Sequence, residues 1–449
     1  MSNALVQSRT IIFASSLVYA VALVYCLSSY ASVEWAMYGY SFNRMNVIDV
    51  ACLVCVLGIW ATGVPKSIVE PSSLFLVVTY ALVCIPSVVV ALVLNRIHQY
   101  YYYPLIVTLT FSFLICCQLV SLFSISAPPI SRRRSKLFVP VIIIFWAICL
   151  VLLVGTYGGT MRFVSLSDLY EQRAIGAATS PIMGYVQTYY GYVFSPLLLV
   201  IGLTERRLLL VLAGVVGGLV LYAITAEKTV FVLPGLIFLG HCFLSQDRVL
   251  FRSTAMLTGT LGAVVTASVF WYEQNSVAAF IAWYVGVRTL LTPGLFVSQY
   301  HDFFGETGHT FLSHVSGIGS IVSRPAVYQN ESRWPSIGHI VGEQFVGIPD
   351  LNANASFLAS DGIASFGVYG VPLAFFLLAC FLIVLDRAAR GIDLKFSVLA
   401  LVPAAFILTN GSLFTVALSF GGGFWILAFY FFFPRRGARL PISQLDHNR

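Results

Sequence analysis

The stretch SVAAFIAWYVGVRTLLTPGLFV, residues 276–297, is apolar and long enough to cross a bilayer, and a single arginine, Arg288, interrupts it. Whether it crosses decides the topology, because every later helix would change direction with it. If it crossed, the turn Asp386–Lys395, with its three basic residues, would face outside, against the inward preference of Lys and Arg. The stretch is therefore expected to be an interfacial or re-entrant helix, stopped at Pro293-Gly294 and shielded by surrounding protein.

The composition around it excludes a water-soluble globule. Of 449 residues, 59% are hydrophobic and only 10% charged, and the mean hydropathy is +0.89. Apolar runs of roughly 17–25 residues, the length an α-helix needs to cross a bilayer, recur along the chain. The expected fold is all-α: one polytopic membrane domain over residues 1–449 with about twelve transmembrane helices. Spans are expected at about 10–31, 46–64, 73–94, 103–125, 137–155, 185–203, 208–225, 229–244, 253–271, 367–385, 396–409 and 413–433. The run from Ile11 to Ala31 reads as a retained first span rather than a signal peptide. All nine cysteines fall inside spans, so Cys52-x-x-Cys55 reads as membrane filler rather than a metal or redox pair. The polar tail after Phe433 reads as an interface anchor and a disordered end.

With both termini inside, seventeen of the 25 Lys and Arg lie in inner turns, among them Lys66, Arg132-Arg133-Arg134, Lys136, Arg206-Arg207, Arg248, Arg252, Arg387, Arg390, Lys395 and Arg435-Arg436. Eight are left outside: Arg44, Arg96, Arg162, Arg173, Lys228, Arg288, Arg324 and Arg333. Each runs against the topological preference and needs another reason to be there. Two external loops are long enough to fold, 156–184 and 272–366, and the second is expected to hold interfacial or re-entrant helices and the active site. The segment Glu273–Phe366 carries four of the seven histidines and seven of the eighteen acidic residues.

Arginine suits a phosphate or pyrophosphate because its planar fork donates two parallel hydrogen bonds and stays charged near lipid. Arg173, which follows Asp168 and Glu171, and Arg288 are the candidates; the alternative is that they reach lipid headgroups or pair with those carboxylates. Glu227-Lys228 forms a very short external turn, and reads either as a hairpin ion pair or as a source of further positive charge, Lys228, for the same anion. In Tyr300-His301-Asp302-Phe303-Phe304 a histidine and a carboxylate lie beside flat rings, which suits a sugar and places His301 or Asp302 to take a proton from a hydroxyl. Tyr300, Trp334, Asn352 and Asn354 are the candidate sugar contacts. Asp361, an unusual charge near a span entrance, is either a partner that orients an arginine or a catalytic base. No HExxH or paired metal spacing occurs, so neither metal nor cofactor is expected, and the absence of a phosphate-binding glycine loop argues against an ATP-driven pump.

The external Arg288-Thr-Leu-Leu-Thr-Pro-Gly followed by Tyr300-His301-Asp302-Phe303-Phe304, then the Asn-rich segment with Asp361-Gly362 and Phe366-Gly367 entering a late span, resembles the Wzy-type oligosaccharide repeat-unit polymerases that build O-antigen and capsule. Arg173 followed eleven positions later by Gly184 matches an Arg-x10-Gly pattern of that family; the equivalent position after Arg288 is Gln299. The resemblance implies a metal-independent glycosyltransferase of the bacterial inner membrane, with cytoplasmic termini and a periplasmic active site. Its donor would be a glycan on undecaprenyl diphosphate and its acceptor one lipid-linked repeat unit. Membrane lipid, a chain-length regulator and a flippase are the implied partners, and no nucleic acid. The alternatives are a lipid-linked oligosaccharide flippase or other transporter, and an O-antigen ligase.

Overall fold

The computed structural model describes residues 2–94, 100–123, 132–164, 169–177, 179–244, 253–348 and 351–434. The expectations for Arg96, Asp168, Arg248, Arg252, Arg435, Arg436 and the tail beyond them lie outside the described residues. The regular structure among the described residues is helical throughout. Among the described residues, ten helices are long and apolar enough to cross a membrane: α1 Val6–Glu34, α3 Pro71–Val93, α4 Tyr103–Phe123, α5 Phe138–Tyr157, α7 Pro181–Glu205, α8 Leu208–Thr225, α10 Ser253–Trp271, α11 Ser276–Thr307, α13 Leu358–Ala389 and α15 Leu413–Phe431. Three shorter apolar helices, α2 Val47–Gly63, α9 Lys228–Leu244 and α14 Leu394–Ile407, complete the bundle. Two short helices, α6 Leu169–Ile175 and α12 Ile337–Val346, lie in the connections.

Helices are the expected solution for such a chain, because lipid offers no partner to an unpaired backbone group. Their entrances carry local signals. Asn46 and Asp49 close a capping box on α2, Pro71 begins α3, and the Asp393 carboxylate accepts from the Phe396 amide at the start of α14. Burial sorts the helices by position: α3 is 94% buried over its most apolar window and forms the centre, whereas α5 is 28% buried and lies at the rim.

The turns sort into two poles. At one, Arg9 donates to the carbonyls of Ala61 and Val64 (2.9 and 2.6 Å), and the Thr254 amide donates to Lys66 (3.3 Å). There too the Ser72 amide donates to Asp386 (2.9 Å), and Arg132 holds the carbonyls of Ala388 and Phe429 (2.7 and 2.6 Å). This basic pole thus joins the starts of α1, α3, α5, α10 and α14 to the ends of α2, α13 and α15. The opposite pole is marked by the Asn43 amide on the Val93 carbonyl (2.7 Å) and by Tyr103 donating to Asp49 (2.6 Å).

Both ends of α11 are held at that opposite pole. Tyr30, near the end of α1, reaches the Ala279 carbonyl (3.5 Å); further along, Gln299 donates to the Tyr38 carbonyl (3.1 Å) and Asp302 accepts from Tyr102. One expectation is corrected: the helix does not stop at Pro293-Gly294 but runs on to Thr307. Residues Ala282–Leu291 form a π-helix, and Pro293 falls on the second residue of the α-helical part that follows. Gly294 lies on the backbone of α3, where a Cβ would stand 2.5 Å from the Pro86 oxygen.

The helical run of α13 is not one rod. Phe357 and Phe375 have ring centroids 5.4 Å apart, and a Cβ on Gly370 would stand 2.0 Å from the Gly362 oxygen. Eighteen residues of straight helix would separate the first pair by about 27 Å, so the chain reverses between them. The reversal is at Gly367, whose φ of +61° suits glycine.

Candidate functional site

The π-helical part of α11 is stitched by side chains as well as backbone: Thr289 donates to the Tyr284 carbonyl (2.7 Å) and Thr292 to that of Val287 (2.8 Å), each five residues back. This stretch presents Trp283, Tyr284 and Arg288. Trp283 stacks on Trp35 (centroids 6.0 Å apart) and Tyr284 on Phe280 (5.7 Å). The Lys228 ammonium sits 4.4 Å above the Trp283 ring, a cation–π contact across 55 residues of sequence. Arg173 and Arg288 both act on the Lys228 charge at electrostatic range. Three cations expected from the sequence as anion contacts are therefore brought into one patch, supplied by α6, the start of α9 and α11.

Each is positioned by its own neighbourhood. Gln172, buried, donates to the carbonyls of Thr160, Ala223 and Ile224 and so pins α6 on the end of α8. Gly176 completes this seat, since a Cβ there would stand 2.0 Å from the Ile224 oxygen. Glu171 pairs with Arg162 (2.8 Å) rather than with Arg173. Arg288 is exposed and makes no hydrogen bond or ion pair with the described residues. No ion pair joins Glu227 to Lys228 either, so the hairpin-pair alternative is not what the structure adopts. The Glu227 carboxyl instead faces Tyr192 and the charge of Arg173; burial raises it above the usual carboxylate range, and Tyr192 and Arg173 draw it part of the way back.

Three of the other external cations are occupied elsewhere. Arg162 holds Glu171, Arg333 pairs with Glu343, and Arg324 lies 5.3 Å over the Trp334 ring. Trp334 also stacks on Tyr328 (5.1 Å), so it builds the small core of the loop between α11 and α12.

A second group forms around the later part of α11. The Tyr102 hydroxyl donates to both Asp302 oxygens (2.9 and 3.0 Å), and the His301 ring lies 5.2 and 5.8 Å from those of Tyr101 and Tyr102. His301 is half-buried and Asp302 buried. Fourteen residues of helix, about 20 Å, separate this group from Arg288, so the structure does not unite it with the cation patch.

The remaining candidates are dispersed. Tyr300 is 1% exposed and donates to the Ala353 carbonyl (3.0 Å), leaving no ring face for a sugar. Asp361 is buried and accepts from the Leu413 amide (2.6 Å) at the start of α15; no arginine bonds it. Asn352 and Asn354 are exposed beside α12, where Gly338 makes room for the Asn352 side chain. Trp35, Trp283, Tyr192, Tyr101 and Tyr102 were not singled out from the sequence. The Tyr100–Tyr103 run at a span entrance was the available signal for the last two.

No protein-family model, curated protein or solved structure matches this chain.

Proposed function

We propose that the protein polymerises undecaprenyl-diphosphate-linked oligosaccharide repeat units into O-antigen or capsular polysaccharide at the periplasmic face of the inner membrane. The observation that carries this reading is the meeting of Arg173, Lys228 and Arg288, from three distant parts of the chain, beside a stacked aromatic surface at the pole opposite the basic one. Three cations gathered beside one carboxyl, Glu227, carry an excess of positive charge that suits a bound anion. A diphosphate leaving group at the lipid interface supplies one, and the adjacent rings suit the apolar faces of sugars.

In this reading α11 is re-entrant, the chain crosses twelve times, and the basic pole is cytoplasmic. The cations hold the donor diphosphate and stabilise the charge that grows as the sugar leaves it. Glu227, the carboxyl beside them, takes the proton of the acceptor hydroxyl. The Tyr101, Tyr102, His301 and Asp302 group, about 20 Å further along α11, binds a more distant part of the glycan.

Deleting the gene and resolving lipopolysaccharide or capsule on a gel tests the class. Loss of long chains with single repeat units still transferred is the expected outcome. Loss of even the single unit points to a flippase or a ligase instead.

A further inference from the structure

The basic pole holds a cleft of about 730 Å³ between the start of α5, the α7–α8 turn and the start of α14. Its rim carries five basic side chains, Arg132, Arg133, Arg134, Lys136 and Arg207, against two acidic ones, Glu205 and Asp393. Part of this charge belongs to the fold. Arg132 holds carbonyls of α13 and α15, Arg134 and Arg207 share Glu205, and Asp393 caps α14. Arg133 and Lys136 remain: both are exposed and neither has an acidic partner among the described residues.

The wall below these cations is apolar. Val139, Pro140 and Ile143 of α5 line the cleft. The same helix continues away from the pole with Ile144, Ile148 and Val151 at 57%, 50% and 70% exposure. That rim-facing surface is where acyl chains run in a helix bundle of this composition. A free phosphate would use the cations and leave the wall bare, whereas a phospholipid uses both. We infer that this cleft binds an anionic phospholipid, its phosphate between Arg133 and Lys136 and an acyl chain along α5. The site is remote from the cation patch at the other pole and does not depend on the function proposed for it.

The test uses the purified full-length protein and native mass spectrometry of bound lipid, with phosphatidylglycerol, phosphatidylcholine and sodium phosphate as probes. The wild type should retain phosphatidylglycerol in preference to phosphatidylcholine. Arg133→Gln combined with Lys136→Gln should weaken that retention about tenfold or more, as loss of charge-assisted contacts implies. Ile143→Ser, which keeps every cation, should also weaken it and so guards against misfolding of the charge variant. Equal retention of both lipids, unchanged retention in the two variants, or displacement of the lipid by equimolar phosphate would each overturn the assignment.

Discussion

Replacing Arg288 by alanine should separate stability from activity. The side chain is exposed and bonds to no described residue, and it shares its surroundings with Arg173 and Lys228, so its removal relieves like-charge repulsion in the empty protein. The variant should therefore insert normally and melt at or slightly above the wild-type temperature. Catalysis should move the other way. A charge-assisted contact that strengthens as the diphosphate departs is worth about 2–4 kcal/mol, a loss of roughly 30- to 1000-fold in rate. Arg288→Lys should restore little, because an ammonium offers a point charge where a fork is needed. The assay is the ladder of chain lengths from cells with matched amounts of each variant in the membrane. A normal ladder from the alanine variant would refute the reasoning and reduce Arg288 to a headgroup anchor. A melting temperature several degrees lower would show that the side chain serves the fold.

Three further outcomes are expected. A reporter that fluoresces only in the cytoplasm, fused after Ser323, should be dark; bright cells would invert the poles and move the cation patch to the wrong side. Glu227→Gln should abolish polymerisation while leaving donor binding intact. Because the folded protein raises the Glu227 carboxyl, the acid limb of the wild-type pH profile should lie above the ordinary carboxylate range, with activity falling as the pH drops through it. His314, half-buried and hydrogen-bonded to Thr310, has its pKa lowered to about 4 by desolvation. The unfolded loop then binds the proton more readily, so the loop between α11 and α12 should lose about 3 kcal/mol of stability as the pH falls from about 6.5 to 4. Hydrogen exchange across the loop should register this, and His314→Gln should flatten the dependence; an unchanged slope in the variant would place the titration elsewhere.

The two poles were legible in the sequence because the inward bias of Lys and Arg is a sum over many turns, and no single misread residue can reverse it. The same logic exposed Arg173, Lys228 and Arg288: each opposes the bias, and the structure brings all three together. Their aromatic partners were hidden. In a chain with 14% aromatic residues, nothing marks Trp35 or Trp283 as different from a ring that fills a helix contact. Contacts between distant segments were equally hidden, as with Tyr102 on Asp302 across 200 residues. Pro293-Gly294 misled for a specific reason. Proline often ends a helix by withholding an amide donor, but Pro293 stands at the passage from the π-helical to the α-helical part of α11 and the helix continues through it. The span expected at 367–385 begins at the turn itself, Gly367, but nothing in the sequence marked the segment before it as a helix that folds back onto that span.

The position of Arg288 ties the fold to the chemistry. Had residues 276–297 crossed the bilayer, Arg288 would lie twelve residues in, about 18 Å from the start and near the middle of about 30 Å of hydrocarbon. A lone arginine there costs about 2.5 kcal/mol or more. Both ends of α11 are held at one pole, by Tyr30 at the first and by Tyr38 and Tyr102 at the second, and in the re-entrant reading proposed above the guanidinium is spared that depth. The helix is long enough to span, and in that re-entrant reading what its ends bind keeps it from doing so. In the proposed function it thereby presents a permanently charged fork to the lipid diphosphate, with Lys228 and Arg173 arriving from α9 and α6 to complete the patch. A crossing helix could not do this, and a solvated loop would not hold Trp283 and Arg288 in fixed relation.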